Sequence, residues 1–126
     1  MRRFGLLVTL ILTFGACDPG PSGPGDLTGI VETPGPVLGG AVLEVVGRGI
    51  MGFSGSGGTH VFFAATGVED TYRLVLLAET PGQLQFRVSV RDKGAKKPAA
   101  SVVNVVSGSN LPLPATADYG VRFSRK

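Results

Sequence analysis

The side chains able to do covalent or acid–base chemistry are few and scattered. Cys17 is the only cysteine in a chain of 126 residues, so no disulfide forms within one copy. What a lone thiolate offers is nucleophilicity, as a reactive group or as a covalent handle. His60 is the only histidine, and alone it makes neither a metal cluster nor a Ser/His/Asp triad. Gly52–Gly58 reads GFSGSGG, yet neither Ser54 nor Ser56 has glycine at both positions of a G-x-S-x-G nucleophile elbow. Glu69 and Asp70 are adjacent acids in a turn, with nothing else of a calcium loop around them.

Gly47, Gly49 and Gly52 satisfy G-x-G-x-x-G after an apolar run, with Glu69 and Asp70 further on. A dinucleotide site of that kind needs a helix N-terminus to face the pyrophosphate. The following residues, FSGSGGTH, cannot sustain one. These glycines are therefore expected to serve a tight connection or a bulge between neighbouring strands. No catalytic set, metal site or cofactor is expected, and the chain reads as a non-enzyme.

The element that positions Cys17 is a leader. Arg2 and Arg3 precede an uncharged, mostly apolar run from Phe4 to Phe14, which is signal-peptide architecture on the general secretory route. It is shorter than the roughly 20 residues of a membrane span. Ordinary cleavage after Ala16 would put bulky Phe14 where a small residue is wanted. Cleavage after Gly15 would place Thr13 and Gly15 there and release a secreted soluble protein. Phe14-Gly15-Ala16-Cys17 resembles instead the lipobox of bacterial lipoproteins, with Phe14 where that family has Leu or another aliphatic residue. The resemblance implies removal of residues 1–16 and a diacylglycerol thioether on Cys17. Each buried acyl methylene adds about 0.8 kcal/mol to anchoring.

Residues 17–26 then form a Gly/Pro tether. With no large apolar side chain to bury, Asp18–Asp26 cannot fold alone. Extended at roughly 3 Å per residue, it would hold a domain some 25 Å from the bilayer.

Without Arg2 and Arg3 the 12 basic residues fall to 10, against 9 acidic ones. That balance gives little electrostatic support for nucleic-acid binding. Two clusters stand out locally. Arg91, Lys93, Lys96 and Lys97 lie in RDKGAKK, and RFSRK closes the chain. They read as a solvated loop and tail, or as a patch for an anionic envelope polymer or lipid headgroups.

From residue 27 to 126, apolar runs alternate with turn chemistry. Eight strands are predicted: Leu27–Glu32, Ala41–Gly47, Ile50–Ser54, His60–Thr66, Thr71–Glu79, Gln83–Arg91, Ser101–Ser107 and Tyr119–Arg125. In the sixth, Leu84, Phe86, Val88 and Val90 alternate without exception with polar residues, so one face is buried and one is wet. Thr80-Pro81-Gly82-Gln83 suits a type II turn, predicting a hairpin between the fifth and sixth strands. The fourth and fifth strands are apolar on both faces. Such strands are either central and covered by loops, or they present an exposed face to a partner; Phe62, Val75 and Leu77 are the residues of that face. With no helix of useful length, the pattern argues for an all-β fold, an antiparallel β-sandwich of about eight short strands, with a partly closed barrel as the alternative.

The segment Gly82–Arg125, with VVNVVSGSN and YGVRFSR, resembles a class of short bacterial lipoproteins with a lipobox, a linker and one β-sandwich. The strand rhythm is also similar to cohesin-type sandwiches, which bind other proteins. Both resemblances imply a binding or scaffolding role without catalytic residues. The expectation is a membrane-anchored lipoprotein of the bacterial cell envelope, its domain outside the cytoplasm, meeting an envelope protein or anionic polymer. A structural subunit of an envelope assembly and a small secreted enzyme are the alternatives.

Overall fold

The computed structural model describes residues 23–35, 37–113 and 118–125. Residues 1–22, on which the expected leader, the lipidation site Cys17 and most of the expected tether fall, lie outside the described residues. The described chain is all-β, with β1 (Gly25–Glu32), β2 (Leu38–Val46), β3 (Ile50–Ser56), β4 (Thr59–Ala65), β5 (Thr71–Gly82), β6 (Gln85–Val90), β7 (Ala99–Ser107) and β8 (Gly120–Ser124). Each coincides with one of the eight expected runs. They form two four-stranded antiparallel sheets packed as a sandwich, β3-β6-β1-β8 (sheet I) and β4-β5-β2-β7 (sheet II).

Period-two alternation sets which side chains meet between the sheets. Sheet I contributes Leu27 and Val31 from β1, Phe86, Val88 and Val90 from β6, and Phe123 from β8. Sheet II contributes Ala41, Leu43 and Val45 from β2, Leu74 and Leu76 from β5, and Val102 and Val105 from β7. The odd spacing of Val102 and Val105 has a cause: the β2–β7 register shifts between Val42 and Leu43, whose partners are Asn104 and Val102. Val103 is the extra residue, and the bulge returns Val105 to the core. Phe86 and Phe123 meet edge to face at 6.0 Å between ring centroids. Each fully buried side chain of this size stabilises the fold by roughly 1.5–3 kcal/mol, so this layer is what joins the sheets.

Six of the seven connections cross from one sheet to the other; only β4–β5 joins neighbours in one sheet. The hairpin predicted between β5 and β6 is therefore not formed. Thr80–Gly82 extends β5, pairing Gly82 with Leu38. The chain then passes to sheet I through Leu84, which is fully buried and whose carbonyl accepts the Val31 N–H at 3.0 Å. Gly47–Gly49 is likewise a tight crossing from β2 to β3, with Gly49 at φ 72°, and the register slips at Met51 between Ile50 and Gly52. The glycines of the G-x-G-x-x-G pattern thus serve a crossing and a bulge, on strands of different sheets.

The crossings sort the loops into two ends. One end carries Gly23–Pro24, residues 47–49, 66–70 and 91–98, and Arg125; the other carries residues 33–35, 37, 57–58, 83–84, 108–113 and 118–119. Side chains join the two sheets at the β3/β4 margin. Phe53 of β3 meets Phe63 of β4 at 5.0 Å and Tyr72 of β5 at 5.4 Å, both edge to face. At the opposite margin the segment 111–113 runs back along β7, with Ser107 N–H donating to the Leu111 carbonyl and Leu113 N–H to the Val105 carbonyl. The segment 111–113 thereby covers the free edge of β7 and resists pairing with another strand there.

Candidate functional site

The outer face of sheet II is built by register. Phe62 stands opposite Val75, and Val75 opposite Val42; His60 stands opposite Leu77, and Leu77 opposite Gly40. Directly opposed residues share a face. Leu74 and Leu76 point into the core, so Val75 and Leu77 point out, and Phe62 with them. The structure thus brings Phe62, Val75 and Leu77 together on one outward face. Phe62 is 59% exposed and Leu77 46%; Val75 is half-buried.

Beside them Gly40 has no side chain, and the face sinks into an open depression of about 200 Å³ walled by Val42, Val75, Leu77, Asn104 and Val106. A Cβ on Gly40 would lie 2.9 Å from the Leu76 carbonyl oxygen and 3.3 Å from Leu77 Cδ2, so the glycine permits this close approach. Polar contacts flank the apolar centre on both sides: the ion pair of Arg73 with Glu44 at 3.3 Å, and His60 Nε2 with the Glu79 carboxylate at 3.3 Å. An apolar centre inside a polar rim is the anatomy of a protein–protein contact.

β4 is an edge strand, paired with β5 alone. Its two apolar faces do not mark a central strand covered by loops. Phe62 faces outward, while Phe63, 47% exposed, packs against Phe53 across the margin. The second doubly apolar strand, β5, is central, and its outer residues complete the face that Phe62 begins.

The basic residues lie at the end where the described chain begins. Asp92 Oδ1 accepts the N–H groups of Gly23 (3.1 Å) and Gly94 (2.9 Å), and Lys93 N–H donates to the Gly23 carbonyl. Two cations are engaged in holding this loop: Lys97 Nζ donates to the Phe123 carbonyl at 3.2 Å, and Arg125 donates to the carbonyls of Lys93 (2.7 Å) and Ala95 (3.3 Å). The stem of Lys93 lies over Gly25. Arg91 and Lys96 point outward and make no ion pair among the described residues. Arg48, from the β2–β3 crossing, joins Lys96 and Lys97 around an open cleft of about 550 Å³.

His60 bonds Glu79 on sheet II, whereas Ser54 and Ser56 are on β3 of sheet I. Neither depression is lined by any of the three. Among the described residues no group of three His, Cys, Asp or Glu could hold a metal ion.

Neither a protein-family model, nor a curated protein, nor a solved structure matches this chain.

Sequence reasoning missed Gly40, Val42 and Val106 on the apolar face, and Arg48 at the basic end. Gly39-Gly40, at the start of β2, was a signal, since a strand glycine marks a close approach or a bulge; the register also shifts between Leu38 and Gly40. Arg48 carried no signal, because it meets Lys96 only through the crossing topology.

Proposed function

We propose that this chain is an envelope lipoprotein, anchored through a thioether on Cys17, whose sandwich binds a partner protein through the outer face of sheet II. The anchoring half is supported by Arg2 and Arg3, the apolar run Phe4–Phe14, and Gly15-Ala16-Cys17. The observation that carries the binding half is that Phe62, Val75 and Leu77 share one outward face beside the Gly40 depression, flanked by the Arg73–Glu44 ion pair and the His60–Glu79 contact. A continuous apolar face suits a protein neighbour in an envelope assembly better than a small soluble ligand. A non-catalytic role fits the separation of His60 from Ser54 and Ser56 on different sheets.

Two measurements test the two halves. Metabolic fatty-acid labelling should mark the chain and be lost in Cys17→Ala; label retained in that variant sinks the anchor. A photo-crosslinking residue placed at Phe62 should give adducts with an envelope protein, while one at Arg87, exposed on sheet I, should not. Equal adduct formation at the two positions would remove the assignment of the face.

A further inference from the structure

We propose that the domain stands end-on at the membrane, its basic end against anionic phospholipid headgroups and its apolar face turned sideways, along the membrane plane. The inference rests on lipidation of Cys17. Its first support is where the chain joins the domain. Gly23 is already held by Asp92 and Lys93, so only five residues, Asp18–Ser22, separate Cys17 from the fold. At the limit of an extended chain that link spans about 20 Å, less than the tether of residues 17–26 read from the sequence. β2, with nine residues, alone runs about 30 Å. The end carrying Gly23 is therefore held within reach of the bilayer, and the domain cannot stand on its opposite end, which would lift Gly23 about 30 Å away.

Charge is the second support. The membrane-proximal end carries Arg48, Arg91, Lys93, Lys96, Lys97 and Arg125; among the described residues, the connections at the distal end carry no lysine or arginine. The acids facing these cations are Asp26, Glu69, Asp70 and Asp92. Asp26 accepts from Ser89 Oγ and Asp92 is turned onto Gly23 and Gly94. Arg48, Arg91 and Lys96 are exposed and free to meet phosphate. A cation near an anionic surface strengthens attachment about fivefold. The near-neutral net charge thus conceals a polarity along the strands, aligned with the tether.

The test uses the full chain, processed in a bacterial host, purified with its fatty-acid label and reconstituted in phosphatidylethanolamine vesicles with phosphatidylglycerol and a headgroup nitroxide lipid. A fluorophore on Ala95→Cys should be quenched at least threefold more than one on Ser109→Cys at the distal end. Arg48→Glu/Arg91→Glu/Lys96→Glu, or removal of phosphatidylglycerol, should bring the two values together. Equal quenching in a labelled chain overturns the orientation and leaves the anchor standing. Failure of the chain to take up label overturns the anchor and the orientation with it. A difference unmoved by the triple variant and by lipid charge overturns the headgroup contact. Equal quenching with salt-sensitive retention on soluble polyphosphate would assign the basic end to an envelope polymer instead.

Discussion

Phe86 lies directly across Gly29, its partner in the β1–β6 register, and its ring fills the space that a Cβ on Gly29 would take. Such a Cβ would sit 2.5 Å from Phe86 Cζ and 2.8 Å from Cε1. Phe86 is fully buried and abuts Phe123, so the ring has nowhere to move. Replacing glycine by alanine usually gains about 0.4–1 kcal/mol through the unfolded chain. Overpacking a closed core costs about 1–3 kcal/mol, and here it should win. Gly29→Ala should lower the thermal midpoint by several degrees in circular dichroism. Adding Phe86→Leu should recover part of that loss, and strictly additive effects would show that the ring is not the constraint.

Thr59 is one of two buried polar residues in the described chain, 5% exposed. Its Oγ1 accepts the backbone N–H of Gln85 at 3.3 Å, linking the start of β4 in sheet II to the start of β6 in sheet I. Thr59→Val keeps the shape and removes the acceptor, leaving a backbone donor short of a partner at a cost of about 1–3 kcal/mol. Urea denaturation should show this loss, and Thr59→Ser should show less of it. Equal stability of the Val variant and the parent would mean that the Gln85 N–H is satisfied elsewhere.

The strands were legible because alternation and turn residues are local. Their assignment to sheets was not. Phe86 and Val88 face the core from sheet I as Leu74 and Leu76 face it from sheet II, and a period of two reads the same from either side. Pro81-Gly82 is good turn chemistry on any reading; only the pairing of Gly82 with Leu38 places it within β5. Phe62, Val75 and Leu77 could be named as a face because each opposes an inward residue in its own strand. Gly40, which completes that face, contributes by lacking a side chain, and Arg48 reaches the basic end only through the fold.

Two phenylalanines of the β3/β4 margin should behave oppositely. Phe53 is half-buried and touches both Phe63 and Tyr72; edge-to-face pairs contribute about 0.5–1.5 kcal/mol beyond area burial. Phe53→Ala should destabilise by about 1.5–3 kcal/mol and raise amide hydrogen exchange in β3 and β4. Phe62 faces solvent, so Phe62→Ser should change stability by no more than about 0.5 kcal/mol while abolishing the partner contact proposed for that face. A large unfolding effect of Phe62→Ser would mean that its ring serves the fold.

Asp92 organises the loop that receives the chain. Its carboxylate takes two backbone donors, Gly23 and Gly94, and its carbonyl takes the N–H of Ala95. Both side-chain bonds are exposed, so their effect should be local: about 1 kcal/mol on stability, with faster amide exchange at Gly23 and Gly94 in Asp92→Ala. Asp92→Asn keeps an acceptor oxygen and should retain most of the protection, since the geometry asks for a lone pair rather than a charge. Arg125→Ala removes the clamp on the Lys93 and Ala95 carbonyls and should loosen the same loop from its other side. If the two alanine variants combined exceed the sum of their separate effects on exchange, the two residues close one unit. Strict additivity would mean that the loop is held at two independent points.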